Sequence, residues 1–101
     1  NLSKGVANYS IYSAAKAGLE AITKGLAREL APEIKVNAIA PGAMLEPPDV
    51  TWTEEQKNKV IDSIPLKRMG SEKDIAEAVK FLADSDYITG QIIKVDGGRS
   101  L

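Results

Sequence analysis

A phenol and an ammonium stand four residues apart near the start of the chain. Tyr12 and Lys16 occur in the stretch ANYSIYSAAKAG, and Tyr9 lies about one helical turn before Tyr12. On a helix, side chains four apart are neighbours, with Cβ atoms about 5–6 Å apart. A unit charge at about 4 Å contributes about 4 kcal/mol at an effective dielectric constant of about 20. That energy equals roughly three pKa units, enough to bring a phenol from about 10 toward neutral pH. The pair is either an acid with its electrostatic helper or the edge of an ordinary amphipathic helix.

Composition restricts which chemistry is open to the chain. The 101 residues carry a net charge of −1 and include neither histidine nor cysteine. The residues that could carry out acid–base chemistry are therefore Asp, Glu, Lys and Tyr, and a metal site with His or Cys ligands is excluded. The balanced charge gives no reason to expect nucleic acid or a membrane as a partner. The lack of cysteine leaves the compartment formally open.

The elements that must position the pair follow the order helix, strand, helix, helix, strand. Apolar periodicity, capping residues and Pro or Gly stop signals predict their bounds. The bounds are about Tyr9 to Leu30 for the first helix, Ile34 to Ala40 for the first strand, Thr53 to about Ser63 for the second helix, the segment after N-cap Ser71 for the third, and Gln91 to Val95 for the second strand.

The fold class follows from the two short strands. Strands separated by helices pair in parallel, and parallel sheets need several strands with helices on both faces. We therefore expect an α/β fold, the C-terminal part of a larger, doubly wound (Rossmann-type) parallel sheet. The alternative is an independent domain of 101 residues.

The first helix has two faces of different character. One stripe is apolar and is expected to pack on the sheet. The other face is made of small residues, and glycine inside a helix costs about 1 kcal/mol relative to alanine, which favours a packing reason such as close approach by a helix of a second subunit. The apolar stripe comprises Ala15, Leu19, Ile22, Leu26 and Leu30, and the small-residue face comprises Ala14, Ala17, Gly18, Ala21 and Gly25.

Two long stretches resemble the short-chain dehydrogenase/reductase family. The stretch YSIYSAAKAGLEAITKGLARELAPEIKVNAIAPG is similar to the family's active-site helix with Tyr-x-x-x-Lys, followed by Val-Asn-x-x-x-Pro-Gly at Val36-Asn37 and Pro41-Gly42. The stretch RMGSEKDIAEAVKFLADSDYITGQIIKVDGG is similar to the family's C-terminal region and contains Thr89-Gly90 and Asp96-Gly97-Gly98. The resemblance covers nearly the whole chain. It implies that residues 1–101 are the C-terminal portion of a single dinucleotide-binding reductase domain without its N-terminal cofactor-binding half, and that this portion alone is inactive.

The resemblance also implies roles for individual residues. Tyr12 would donate a proton to the substrate as hydride arrives, and Lys16 would lower the pKa of Tyr12 and bind the nicotinamide ribose. Pro41, Gly42 and Met44 would bind the cofactor, Met44 through its backbone at the nicotinamide carboxamide, with NADPH expected before NAD. Tyr9 and Leu45 are the candidates for substrate contact, with a packing role open for Tyr9.

Three positions depart from the family pattern or carry no assigned chemistry. Glu46 stands where many members have a threonine that contacts cofactor phosphate, so that contact is in doubt. The family's third catalytic position, usually serine, falls one residue before Asn1, and Ser3 does not replace it. Asn37 is expected only to brace a turn.

Within the family, LARELAPEIKVNAIAPGAML and YITGQIIKVDGGRSL are most similar to pteridine reductases, which implies NADPH-dependent reduction of pterins or dihydrofolate-type substrates. The alternatives are a 3-oxoacyl-acyl-carrier-protein reductase or other short-chain carbonyl reductase, and a non-catalytic relative that acts as an assembly module. The resemblance further implies a small-molecule substrate and a homotetramer that associates through the first helix and through the C-terminal strand and tail, Arg99 to Leu101. With this assignment we expect a cytoplasmic protein.

Overall fold

The computed structural model describes the backbone of residues 2–42 and 51–101 and the side chains of residues 16–42 and 51–101. Its elements follow the order α1, β1, α2, α3, β2. This is the predicted order of helix, strand, helix, helix, strand, so the α/β prediction is confirmed at the level of the elements. The bounds are Leu2–Leu30 for α1, Ala38–Pro41 for β1, Glu54–Asp62 for α2, Glu72–Asp84 for α3 and Ile92–Val95 for β2.

Helix α1 is longer than predicted at its N-terminal end. It starts at Leu2 and runs without interruption for 29 residues to Leu30. The predicted end at Leu30 is confirmed, and Pro32 follows two residues later, where its ring no longer interferes with the helix. The predicted start at Tyr9 is wrong because the preceding residues carry no stop signal, and a helix extends at little cost once it has nucleated.

The starts of α2 and α3 depend on side chains that bind free backbone amides. Thr53 caps α2: its Oγ1 accepts from the Gln56 amide at 3.1 Å, and Gln56 Oε1 accepts from the Thr53 amide at 2.8 Å. The capped start predicted at Thr53 is confirmed, and the structure shows it to be a capping box with Gln56. At α3, Asp74 Oδ2 accepts from the Ser71 amide at 2.8 Å. This bond confirms Ser71 as the N-cap residue that directly precedes the helix.

Strands β1 and β2 form a two-stranded parallel sheet. The Ala38 amide donates to Gln91 O at 2.9 Å, and the Gly42 amide donates to Val95 O at 3.0 Å, so the register advances in the same direction along both strands. The predicted strand start at Ile34 is four residues too early. The backbone amide of Val36 donates instead to the Thr89 hydroxyl, at 3.0 Å, so a side chain takes the place of a ladder bond.

The chain divides into two compact units, 1–38 with 88–92 and 39–87 with 93–101. In the first unit, the buried side chains described on α1 are those of Thr23 and Ala27. The expected apolar stripe is not buried: Leu19, Ile22 and Leu26 are 51%, 60% and 41% exposed. Two strands of four residues offer too little surface to cover that stripe, so its predicted packing on the sheet is wrong within this chain.

The second unit has a small core beneath the turn that follows β2. Ile64 is 1% exposed, and a Cβ built at Gly97 would lie 2.6 Å from Ile64 Cγ2. Gly97 also has a φ of +63°, a conformation that glycine adopts without a steric penalty. Leu82 of α3 is the other buried apolar side chain of this unit among the described residues. This core therefore requires glycine at position 97.

Candidate functional site

Helix α1 carries the predicted acid–base pair. Tyr12 and Lys16 both lie within Leu2–Leu30, four residues and about one turn apart. The Lys16 side chain is exposed, whereas the side chains of Tyr9 and Tyr12 lie outside the part that the structure describes. The backbone spacing that the chemistry needs is therefore present on one uninterrupted helix.

Gly42 directly follows strand β1, at the position predicted to lie near a cofactor. Its amide donates to Val95 O at 3.0 Å. A Cβ built on Gly42 would lie 2.5 Å from Asp96 Cβ and 2.7 Å from Asp96 Cα. The close approach that requires glycine here is thus to the Asp96 backbone, a reason for glycine that the sequence did not indicate. Pro41 precedes it as an exposed residue, and Met44, Leu45 and Glu46 lie outside the described residues.

Asp96 organises the turn that Gly42 approaches. Its Oδ1 accepts from the Gly98 amide at 2.9 Å, and its Oδ2 accepts from the Ser100 amide at 3.2 Å. Hydrogen bonds from Ser100 and from the Gly98 amide hold the pKa of Asp96 below its ordinary value. The ionised Asp96 carboxylate therefore holds the Asp-Gly-Gly turn in place by accepting these hydrogen bonds.

A charged pair that the sequence analysis did not single out lies before α3. The two terminal nitrogens of Arg68 donate to Asp74 Oδ2 at 2.9 Å and to Asp74 Oδ1 at 3.1 Å. The Ser71 amide and hydroxyl also donate to Asp74 Oδ2, at 2.8 and 3.1 Å. These hydrogen bonds hold the pKa of Asp74 well below its ordinary value of 3.8, and the bond from Arg68 has the largest effect. In the sequence, this pair could have been predicted from the stretch RMGSEKD, where an arginine stands six residues before an aspartate.

The second unit also contains a cavity of about 500 Å³. Lys16, Pro41 and Gly42 do not line it. Its walls come from the turn after α2, the loop before α3, and β2 with the turn that follows, and they include Leu66, Arg68, Asp74, Lys94 and Gly97. All of its lining residues belong to the second unit, and none of them is a residue that the sequence analysis assigned to catalysis or cofactor binding.

Asn37, expected only to brace a turn, binds the segment before β2 with both ends of its amide. Its Nδ2 donates to Ile88 O at 3.1 Å, and its Oδ1 accepts from the Gln91 amide at 3.0 Å. Asn37 therefore braces the segment 88–91 rather than the turn at Pro41-Gly42 for which it was expected. The partners, which come from a segment more than fifty positions away, were not predictable from the local sequence.

The described part of the chain comprises residues 2–42 and 51–101. No helix there is long and apolar enough to cross a membrane. No group of three or more acidic side chains there is arranged to hold a metal ion.

Comparison with known proteins gives concordant matches. Residues 2–100 match the family described as enoyl-(acyl carrier protein) reductase. The chain is 46% identical to glucose 1-dehydrogenase of Gluconobacter oxydans, over 93% of this chain and 37% of that protein. It is 46% identical to carbonyl reductase family member 4 of Danio rerio, over 97% of this chain and 40% of that protein. It is 45% identical to a 3-oxoacyl-(acyl-carrier-protein) reductase of Haemophilus influenzae, over 89% of this chain and 38% of that protein.

Solved structures agree with these matches. A small-chain dehydrogenase in complex with NADPH superposes with a TM-score of 0.79 at 38% identity, over 91% of this chain and 43% of that one. A short chain dehydrogenase from Leptospira borgpetersenii with bound NAD+ superposes with a TM-score of 0.77 at 37% identity, over 90% of this chain and 35% of that one. The chain thus spans 37–40% of the length of the three curated relatives. The match over residues 2–100 and the shared Rossmann-like α/β fold place this chain in the short-chain dehydrogenase/reductase family.

Proposed function

We propose that the protein is an NAD(P)H-dependent carbonyl reductase, with a 3-oxoacyl thioester on acyl carrier protein as the first candidate substrate. The observation that carries the proposal is the uninterrupted helix α1, which holds Tyr12 and Lys16 one turn apart. The matches to a carbonyl reductase and to a 3-oxoacyl reductase, at 46% and 45% identity, support this substrate class over pterins.

Tyr12 is the proposed proton donor in this reaction. A carbonyl that accepts hydride at carbon gains negative charge on oxygen, and a phenol within hydrogen-bond reach neutralises that charge by giving up its proton. Lys16 is the proposed helper, because its ammonium, one turn away, stabilises the phenolate that remains. Tyr9, a further turn toward the N-terminus, is proposed to line the substrate entrance together with Leu45.

The residues present suit a nicotinamide cofactor, whose bound form supplies the hydride. The Lys16 side chain is exposed, and its ammonium provides three donors for the hydroxyl groups of a ribose. The Gly42 amide is engaged by Val95 O, so we propose that Pro41 and Gly42 shape the end of β1 while Met44 contacts the nicotinamide. NADPH is the proposed form, and the solved structures with NADPH and with NAD+ support both members of this cofactor class.

A pterin or dihydrofolate substrate is the second candidate. The observation that favours it is the stretch LARELAPEIKVNAIAPGAML, which is similar to pteridine reductases. A non-catalytic assembly module is disfavoured because the chain retains both Tyr12 and Lys16.

The proposed partner is a second copy of the same protein, in a tetramer formed through α1 and through the C-terminal strand and tail. A Cβ built at Gly18 or at Gly25 meets no atom within 4 Å, and Ala17 and Ala21 on the same face are exposed. Small residues allow the backbones of two helices to approach closely, which supports a helix as the occupant of this face. A cytoplasmic location remains a prediction.

The test is cofactor oxidation by the full-length protein with a panel of substrates. Acetoacetyl thioester, dihydrobiopterin and dihydrofolate are each compared with NADPH and with NADH, and glucose is tested in the oxidative direction. We expect the highest kcat/KM for the acetoacetyl thioester with NADPH. A higher kcat/KM for dihydrobiopterin would transfer the assignment to the second candidate, and no turnover with any substrate would overturn the proposal.

A further inference from the structure

The start of β1 is joined to the segment before β2 by a group of hydrogen bonds, which we call the clasp and define as residues 36–38 with 88–91. Val36 and Ala38 contribute backbone groups, and Asn37 contributes its side chain. The bonds run from Val36 N to Thr89 Oγ1 at 3.0 Å, Gly90 N to Val36 O at 2.7 Å, Asn37 Nδ2 to Ile88 O at 3.1 Å, Gln91 N to Asn37 Oδ1 at 3.0 Å, and Ala38 N to Gln91 O at 2.9 Å.

Asn37 is the side chain that this arrangement depends on most. One end of its amide must donate and the other must accept, because Ile88 offers a carbonyl and Gln91 offers an amide proton. An asparagine meets both requirements, whereas an aspartate of the same shape has only acceptors when ionised. The carboxylate would also face the Ile88 carbonyl oxygen and repel it.

The clasp contacts α1 through Gly90. Gly90 has a φ of +76°, and its amide donates to Val36 O at 2.7 Å. A Cβ built at Gly90 would lie 3.4 Å from Ala27 Cβ. Ala27 is 4% exposed, and Thr23, one turn earlier, is 3% exposed. The backbone of the clasp therefore lies directly against α1.

The face of α1 that contacts the clasp is also the face that carries Lys16. Ala27 follows Lys16 by 11 residues, which is about three turns, and Thr23 follows it by 7 residues, which is about two turns. The neighbouring apolar stripe is largely exposed within this chain, with Ile22 at 60%. Ala27, Thr23 and Lys16 therefore lie along one side of a continuous helix.

We propose that Asn37 and Thr89 are positioning residues: by holding the clasp together they set where α1, and with it Tyr12 and Lys16, lies relative to the starts of β1 and β2. The reductase aspect of this inference rests on the proposed function. Tyr12 and Lys16 are on one helix, so a displaced clasp moves them together and leaves their mutual spacing unchanged.

The test compares Asn37→Asp with Asn58→Asp in the full-length protein. Asn58 is exposed on α2, so this control makes the same change of side chain and charge away from the clasp. At a temperature where circular dichroism shows both variants fully folded, we expect Asn37→Asp to lower kcat about tenfold and to raise the Kd for NADPH about fivefold. The apparent pKa in the kcat–pH profile stays at the wild-type value. Asn58→Asp matches the wild type in all three measurements.

Hydrogen exchange of the α1 amides is measured on the same samples and does not depend on activity. We expect exchange around Ala27 to be at least fivefold faster in Asn37→Asp than in Asn58→Asp. Unchanged exchange, or a kcat and an NADPH Kd within twofold of wild type despite a lower Tm, would overturn the positioning role. A wild-type protein without turnover or cofactor binding would instead overturn the proposed function, and the exchange data would then decide the clasp by themselves.

A second pair of variants covers the case in which Asn37→Asp does not fold. Thr89→Val removes the hydroxyl that accepts from the Val36 amide and keeps the shape of the side chain, whereas Thr89→Ser keeps the hydroxyl. We expect Thr89→Val to change kcat, NADPH affinity and α1 exchange in the same directions by about threefold, and Thr89→Ser to match the wild type. Equal behaviour of the two variants would contradict the proposal.

Discussion

Gly42 and Asp96 approach each other so closely that no side chain fits between them: a Cβ on Gly42 would lie 2.5 Å from Asp96 Cβ. The approach joins the end of β1 to the turn after β2, where the Gly42 amide donates to Val95 O at 3.0 Å. The Asp96 side chain is itself bound to the amides of Gly98 and Ser100. Space at position 42 is therefore limited by the backbone and Cβ of Asp96 rather than by the far end of a flexible side chain.

Replacing Gly42 by alanine should destabilise the protein. The new methyl group must displace the Asp96 backbone, and overpacking of this kind costs typically about 1–3 kcal/mol. Thermal or urea unfolding of the full-length protein measures the loss. Asn58→Ala is the control, because Asn58 is exposed on α2 and alanine favours a helix more than asparagine does. A Gly42→Ala variant as stable as wild type would contradict the packing described for this pair.

The two residues of the proposed catalytic pair should respond differently to substitution. Tyr12→Phe removes the proton donor and leaves the surface for the cofactor intact, so kcat should fall by roughly 10²–10⁴ while NADPH affinity stays close to wild type. Lys16→Ala should lower kcat and also weaken NADPH binding, because the ammonium has two proposed roles. Steady-state kinetics and a fluorescence titration of NADPH separate the two effects. More than half of the wild-type rate in Tyr12→Phe would rule out Tyr12 as the acid.

The Arg68–Asp74 pair should make stability depend on pH in the acid range. The pKa of Asp74 is lowered in the folded protein, so its contribution is complete above its ordinary pKa of 3.8 and is lost as the pH falls below that value toward the folded pKa. Asp74→Asn should therefore lower the urea midpoint at neutral pH and reduce its change between about pH 5 and pH 3.

Asp84→Asn is the matched control for this prediction. Asp84 pairs with Lys80 at 2.9 Å on the surface of α3, with side chains 66% and 79% exposed. An exposed i,i+4 ion pair contributes about 0.3–0.5 kcal/mol, so the control should differ little from wild type at either pH. If both variants changed the urea midpoint equally, the additional hydrogen bonds of Asp74 would have no measurable effect.

The small-residue face of α1 should determine the oligomeric state. Gly18→Leu places a branched side chain where two backbones are proposed to meet, so the full-length protein should shift toward monomer and lose activity, although no catalytic group is altered. Sedimentation velocity measures the assembly, and Gly18→Ala provides a graded control that should retain it. An unchanged oligomer in Gly18→Leu would refute this interface and leave the proposed chemistry intact.

Local sequence determined the order of elements and most of their ends. The capping box of Thr53 and Gln56, the N-cap at Ser71 and the helix end at Leu30 all depend on residues within one or two turns, so short-range rules predict them. The i,i+4 spacing of Tyr12 and Lys16 is of the same kind, since any helix through that stretch produces it.

Tertiary structure decided the features that join distant parts of the chain. The amide of Asn37 meets a segment more than fifty residues away, Gly42 is required by Asp96, and the buried face of α1 is centred on Thr23 and Ala27 rather than on the leucine stripe. Local patterns rank side chains by hydrophobicity and period, but burial depends on which surfaces the fold provides. In this chain, the clasp lies against Ala27 of α1, and the two short strands leave Leu19, Ile22 and Leu26 exposed.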